Sequence, residues 1–273
     1  MPVSPSARAV TERIDGLALE HAAPAGRSHS VPVLFVHGMW GGSWYLRNYL
    51  DAAARAGWDA WAVNLRGHGE SPAPGGLGRA SLRDYVDDVG RCLDRLGRAV
   101  LVGHSMGGLI AQKAAEGEGV AAAVFLTSAA PRGIFGLEWA VLSRMTRYVP
   151  AMVGARAFRV SREHADYLLL NGLGREQRAQ AFACFGPESG RAARELALGG
   201  LAVDPAVVRC PTLVVGASED RITPASLQRR IARRYRAEYQ EAPGHAHMLM
   251  LEEGWPRPFQ AVLAWMARVV DEP

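Results

Sequence analysis

Short apolar runs, each followed by a segment with helical spacing, recur along most of this chain, and that alternation limits the folds open to it. VPVLFV (31–36) precedes SWYLRNYLDAAARAG (43–57), and WDAWAVNL (58–65) precedes SLRDYVDDVGRCLDRL (81–96). AVLVG (99–103) precedes MGGLIAQKAAEG (106–117), and VAAAVFLTSA (120–129) closes the series. Continuous apolar runs of this length suit strands buried on both faces. In the 81–96 segment Leu82, Tyr85, Val86, Val89, Leu93 and Leu96 share one helical face, with Ser81 and Asp84 set to cap its start. Strand and helix in alternation predict a mostly parallel sheet covered by helices on both faces.

The pattern is interrupted once. Residues 132–205 hold no convincing strand, yet WAVLSRMTRYVPAMVG, YLLLNGLG, REQRAQAFACF and RAARELALGG read as helices. Alternation resumes with CPTLVVGAS (210–218), SLQRRIARRY (226–235), AEYQEAP (237–243) and a last helix from about Pro256 to Val270. The expected organisation is a core of residues 1–131 and 206–273 with a helical cap, 132–205, over the strand ends where ligands bind. Residues 8–22 read as two further strands turning at Asp15-Gly16.

Composition removes several classes of function. At 273 residues with 49% apolar and 21% charged content, the chain can bury a large core. Its apolar runs are too short for a membrane span, and the N-terminus lacks a secretory h-region, so cytoplasmic residence is expected. Cys92, Cys184 and Cys210 are too scattered for a zinc site or a disulfide framework, and read as small core filler. The net charge of +4 is carried by arginine, Lys113 being the single lysine. RRIARRYR (229–236) suits a solvated helix face, and no nucleic-acid partner is expected. No metal-ligand spacing, dinucleotide fingerprint or phosphate loop occurs, so no cofactor is expected and the partner is a small-molecule substrate.

Gly103-His104-Ser105-Met106-Gly107 lies between a strand and a helix and fits G-x-S-x-G. In that context the small neighbours permit a strained turn that holds the serine hydroxyl clear of the backbone. A serine needs a base, and the base needs an orienting acid. Asp220 follows one later strand and the pair His245/His247 follows the next, so the order is Ser, Asp, His. Asp220 is preferred to Glu219. His247 is preferred to His245 because the apolar MLMLEEGW after it would pin its ring. Backbone N–H groups of Met106 and of Met39, in the loop after VPVLFV, are the candidate oxyanion donors. His37 and His68 read as loop stabilisers, and His104 as packing at the turn.

HGMW (37–40), NLRGHGES (64–71), GHSMGG (103–108), EDRITP (219–224) and HMLMLEEGW (247–255) together resemble the α/β-hydrolase superfamily over nearly the whole chain. HGMWGGSWY also resembles the HGxxxGxW opening of plant methylesterases, hydroxynitrile lyases and lysophospholipase-like hydrolases. The resemblance implies an α/β-hydrolase fold and a serine hydrolase. In such relatives the catalytic histidine begins GHxxxxE-type spacing, which His247 with Glu252 matches and His245 does not. Asn64 and Ala217 depart from the usual Asp and Gly. Ser105 argues against dehalogenase or epoxide hydrolase chemistry, which uses an acidic nucleophile, and Lys113 stands too far away for a hydroxynitrile lyase.

The expected activity is cleavage of a carboxylic ester, thioester or lactone of a small, largely apolar substrate. A carbon–carbon bond hydrolase or tailoring enzyme on the same residues stays open, as does a receptor-like protein with slow turnover. Trp40, Trp44, Phe135, Trp139 and Met145 are the candidate pocket residues, with Leu137, Leu142, Tyr148 and Met152 also on the cap. Arginines 132, 144, 147, 156 and 159 could meet a substrate anion, although solvated faces are the simpler role for most.

Overall fold

A computed structural model of the chain describes residues 9–135 and 139–271. These residues form one eight-stranded sheet in the order β1-β2-β4-β3-β5-β6-β7-β8. β1 (Val10–Ile14) and β2 (Leu17–Ala22) make an antiparallel hairpin at one edge. β3 (Val33–Val36), β4 (Ala60–Val63), β5 (Ala99–His104), β6 (Val120–Leu126), β7 (Thr212–Ala217) and β8 (Glu238–Ala242) run parallel to one another.

Alternating side chains of the central strands feed two cores. Val33, Phe35, Val100 and Val102 pack with α1 (Arg47–Arg55) and α10 (Pro256–Asp271) on one face. Leu34, Val36, Leu101 and Phe125 pack on the other face with α2 (Leu82–Leu96), α3 (Met106–Ala114) and α9 (Ala225–Tyr235). The period of two explains why these strands are apolar throughout: each face of the sheet is covered. Ser81 caps α2 in a reciprocal box with Asp84, as its spacing predicts.

Between β6 and β7 the chain is helical. α4 (Trp139–Met145), α5 (Val149–Val153), α6 (Arg162–His164), α7 (Arg175–Cys184) and α8 (Gly190–Ala197) follow in turn. A π-helical turn, Ala165–Leu169, takes up only the first three residues of the segment that the sequence suggested as a helix from Tyr167, and the rest is turn. The region also contains an isolated bridge, Phe158 with Glu188. Leu137 lies outside the described residues, as does the side chain of Trp139. One expectation needs correction: of the three cysteines only Cys92 is core filler, because Cys184 is exposed and Cys210 half-buried.

Sheet order brings two loops together. β5 lies between β3 and β6, so the chain leaves β3 toward β4 on one side and leaves β5 toward β6 on the other. The crevice at such a reversal lies at the carboxyl ends of the strands. Here the loop after β3 and the turn after β5 face each other across it.

Candidate active site

Ser105 occupies the turn between β5 and α3 at φ 56°, ψ −120°. A non-glycine residue is rarely held there, and close packing of small residues maintains it. A Cβ on Gly103 would stand 2.2 Å from Gly107 O, and one on Gly107 would stand 2.3 Å from Val36 O. Gly108 has a different neighbour: a Cβ there would lie 2.4 Å from Ser128 Oγ, so α3 packs directly against the loop after β6. Each glycine in GHSMGG thus answers a separate close contact, Gly103 and Gly107 with backbone and Gly108 with the Ser128 side chain.

The loops after β7 and β8 converge beside that turn. His247 Nδ1–H donates to Asp220 Oδ2 at 2.8 Å, and both side chains are buried. Asp220 Oδ1 accepts the backbone N–H groups of Ile222 and Thr223 at 2.8 and 2.9 Å. The Thr223 hydroxyl donates to Oδ2 at 2.7 Å. Burial alone would raise the Asp220 pKa, but the His247 ring and the Thr223 bonds hold it below the usual carboxylate value. With Nδ1 engaged, Nε2 is the nitrogen of His247 left for chemistry. Ser105 and His247 line the same cavity. Among the described residues no hydrogen bond yet joins Ser105 Oγ to Nε2, a contact that in resting enzymes often closes only when substrate binds.

The rival residues are turned elsewhere. His245 Nδ1 lies 3.2 Å from Pro243 O, and the Glu219 carboxylate is exposed beside Ser218. Glu252 Oε2 accepts the Ala246 N–H at 2.7 Å and so fastens the loop that carries His247. Burial raises the Glu252 pKa.

Behind the serine runs a second hydrogen-bonded chain that residue spacing did not reveal. The Gly38 N–H donates to the Tyr45 hydroxyl, which donates to His104 Nδ1 at 3.0 Å. His104 Nε2–H then donates to the His247 carbonyl at 2.9 Å. Burial and the nearby His247 push the His104 pKa down to about 3, so the ring is neutral. His37 is also neutral, lowered to about 3 chiefly by burial. Its Nδ1–H donates to Gly38 O at 2.8 Å while Nε2 accepts the Leu65 N–H at 3.1 Å. This is the loop-fixing role read from the sequence. His68 exceeds its expected role, since it reaches Glu188 between α7 and α8 at 3.2 Å.

Above these residues opens a cavity of about 870 Å³. Its walls come from the loop after β3 and from α4, α5 and α8, including Trp40, Val141, Met145, Met152 and Phe185. Phe135 stands at its rim, 80% exposed. Trp44 does not line it, because the ring lies against Tyr45 and Phe185. Among the described lining residues there is no Asp, Glu, Lys or Arg, so arginines 132, 144, 147, 156 and 159 all lie outside the lining. Among the described residues no three His, Cys, Asp or Glu side chains converge to hold a metal, and no helix is long and apolar enough to cross a membrane.

Residues 33–265 match the sequence profile of the alpha/beta hydrolase family. The chain belongs to that family. The "Putative carbamate hydrolase RutD" of Variovorax paradoxus (strain S110) is 28% identical over 268 residues, covering 91% of this chain and 96% of that protein. A shorter match, 38% identical over 71 residues, takes in 25% of this chain and only 13% of the length of the bifunctional epoxide hydrolase 2 of Sus scrofa. Among solved structures, a thermophilic esterase from Thermogutta terrifontis superposes with a TM-score of 0.74 at 23% identity, covering 96% of this α/β hydrolase and 98% of that chain. At that identity the likeness speaks for the fold alone.

Proposed function

We propose that this α/β hydrolase cleaves carboxylic esters, thioesters or lactones of uncharged, largely apolar substrates through an acyl-enzyme on Ser105. The observation that carries the reading is the buried Asp220–His247 pair, 2.8 Å apart, whose His247 lines the same cavity as Ser105. A serine hydroxyl is a weak nucleophile until a base is oriented toward it, and this pair supplies an imidazole with one tautomer enforced.

His247 Nε2 takes the Ser105 proton as Oγ attacks the substrate carbonyl carbon, and Asp220 stabilises the imidazolium that forms. Negative charge gathers on the carbonyl oxygen. The N–H groups of Met106 and Met39 receive it, the first lying in the opening turn of α3, where N–H groups lack intrahelical partners. His247 returns the proton to the leaving alcohol, thiol or ring oxygen. Water then adds to the acyl-enzyme by the same route, releasing the acid and restoring Ser105. Residues 132–205 act as a cap in this reading. Side chains of this segment, those of α4, α5 and α8 among them, supply most of the apolar wall, which favours a neutral acyl group.

A fluorophosphonate should label wild-type protein at Ser105, and Ser105→Ala should lower p-nitrophenyl ester hydrolysis by at least roughly a thousandfold. Absence of labelling, or full activity in the alanine variant, would sink the proposal. Hydrolysis of a carbon–carbon bond in place of every ester, thioester and lactone tested would replace it with the alternative chemistry on the same residues. Ligand binding without turnover would point to a receptor.

A further inference from the structure

Trp40, next to the candidate donor Met39, sits at φ 59°. A bulky side chain keeps that left-handed conformation only where its surroundings impose it. Here both flanking peptide groups are held by the segment between α7 and α8. The Gly186 N–H donates to Trp40 O at 2.8 Å, and the Trp40 N–H donates to Glu188 Oε2 at 3.3 Å.

Glu188 is wholly buried. Besides Trp40, its carboxylate accepts from the Tyr85 hydroxyl at 2.7 Å, the Ser189 N–H at 2.6 Å and His68 Nε2 at 3.2 Å. The other nitrogen of His68 faces Arg66 O at 3.2 Å, so both ring nitrogens meet acceptors, an arrangement that favours the imidazolium. Burial opposes both charges. Even so, the His68 charge and the bonds to Glu188 keep its carboxyl below the ordinary range, while Glu188 holds His68 above its own.

Such a buried pair is a poor source of net stability, since apolar residues of similar volume commonly do as well. What an apolar replacement could not do is grip the Trp40 peptide. We infer that Glu188 is a positioning residue for the oxyanion hole, fixing the Gly38–Met39–Trp40 turn so that the Met39 N–H points at the carbonyl oxygen above Ser105. The inference rests on the donor role given to Met39 in the proposed function. It follows that a residue from the cap segment, 148 positions from Trp40 in sequence, completes the transition-state site.

The test compares the full-length wild type with Glu188→Gln and Tyr85→Phe. The substrate is p-nitrophenyl hexanoate, and a hexyl trifluoromethyl ketone serves as transition-state analogue. Misplacing one oxyanion donor costs on the order of 100-fold, so kcat of Glu188→Gln should fall about 30- to 100-fold. KM should stay within about threefold, and the ketone Ki should weaken in step with kcat/KM. Tyr85→Phe, which keeps the charge pair, should lose about three- to tenfold by the same split. A general packing defect would leave the parallel between Ki and kcat/KM unmet.

A folded Glu188→Gln protein with kcat and Ki unchanged, or with its loss confined to KM, overturns the inference. Should Glu188→Gln fail to fold, Tyr85→Phe decides: unchanged kcat and Ki overturn it equally. An inert, unlabelled wild type would remove the serine-hydrolase reading and this inference together. An active wild type with an indifferent Glu188→Gln removes the inference alone.

Discussion

His104 Nε2–H donates to the backbone carbonyl of His247 at 2.9 Å, so the candidate base is held by its main chain as well as by Asp220. Through the Tyr45 hydroxyl the same chain reaches the Gly38 N–H on the opposite loop. Tyr45→Phe would leave a buried donor on Gly38 and a buried acceptor on His104 without partners. Each costs about 1–3 kcal/mol. Urea unfolding should show a loss of about 2–6 kcal/mol for the two groups together, accompanied by a lower kcat; a Tyr45→Phe protein as stable and active as wild type would show that the chain carries no weight.

The two histidines of GHAH should separate cleanly. His247→Ala is expected to abolish esterase turnover, while His245→Ala keeps most of it because that ring bonds to Pro243 O and not to Asp220. Asp220→Asn keeps the shape but forfeits the charge and the tautomer, for an expected fall of about 10³- to 10⁴-fold in kcat. Surviving activity in His247→Ala would return the assignment to His245.

Gly38 lies against the proposed nucleophile: a Cβ there would stand 2.8 Å from Ser105 Cβ and 3.3 Å from its Oγ. Gly38→Ala should therefore push the serine or the oxyanion loop off its position. Stability should drop by about 1–3 kcal/mol and kcat/KM by about 100-fold. Thermal unfolding together with steady-state kinetics checks both parts, and wild-type kinetics in this variant would refute the close approach.

Acid should destabilise the fold well above the carboxylate range. Free histidine titrates near pH 6.5, whereas buried His37 and His104 stay neutral down to about 3. Below pH 6.5 the unfolded chain therefore binds protons that the folded chain refuses. Stability falls by about 1.4 kcal/mol per pH unit for each group. His68 has the opposite sign: its folded pKa is raised, so its contribution is complete below 6.5 and is lost as pH rises through the folded value. Asp220 and Glu188, both lowered, add a further loss only as pH falls below the carboxylate range. Urea midpoints at pH 7, 6 and 5 should decline stepwise, and equal midpoints would contradict the neutral, buried state of the two rings.

The cavity lining should discriminate by charge. With no Asp, Glu, Lys or Arg among the described lining residues, a substrate carboxylate would be buried without a partner. Comparing p-nitrophenyl hexanoate with the half-ester of adipic acid should give at least about a 100-fold preference in kcat/KM for the neutral chain. Equal rates would mean that the acyl group stays in water.

Legibility in the sequence followed the range of the interaction. Strand and helix alternation, the Ser81 cap and the glycines of GHSMGG depend on neighbours a few residues away, so periodicity and residue size disclosed them. The order Ser105, Asp220, His247 was readable because each follows a strand end. Folding was needed to bring Asp220 onto His247, 27 positions apart, with His245 turned away. Trp44 shows the limit of proximity along the chain: it is four residues beyond Trp40, yet it packs on Phe185 outside the cavity lining, while Trp40 belongs to that lining. Tyr45, His104 and Glu188 hold partners between 59 and 148 residues distant, and no local pattern marks a buried polar side chain for such a partner. Sequence by itself determined the layered α/β architecture and the strained turn that carries Ser105, since both follow from local periodicity and sterics. Tertiary structure alone decided which polar groups are buried together, because only the folded chain removes water and forces each of them to find another.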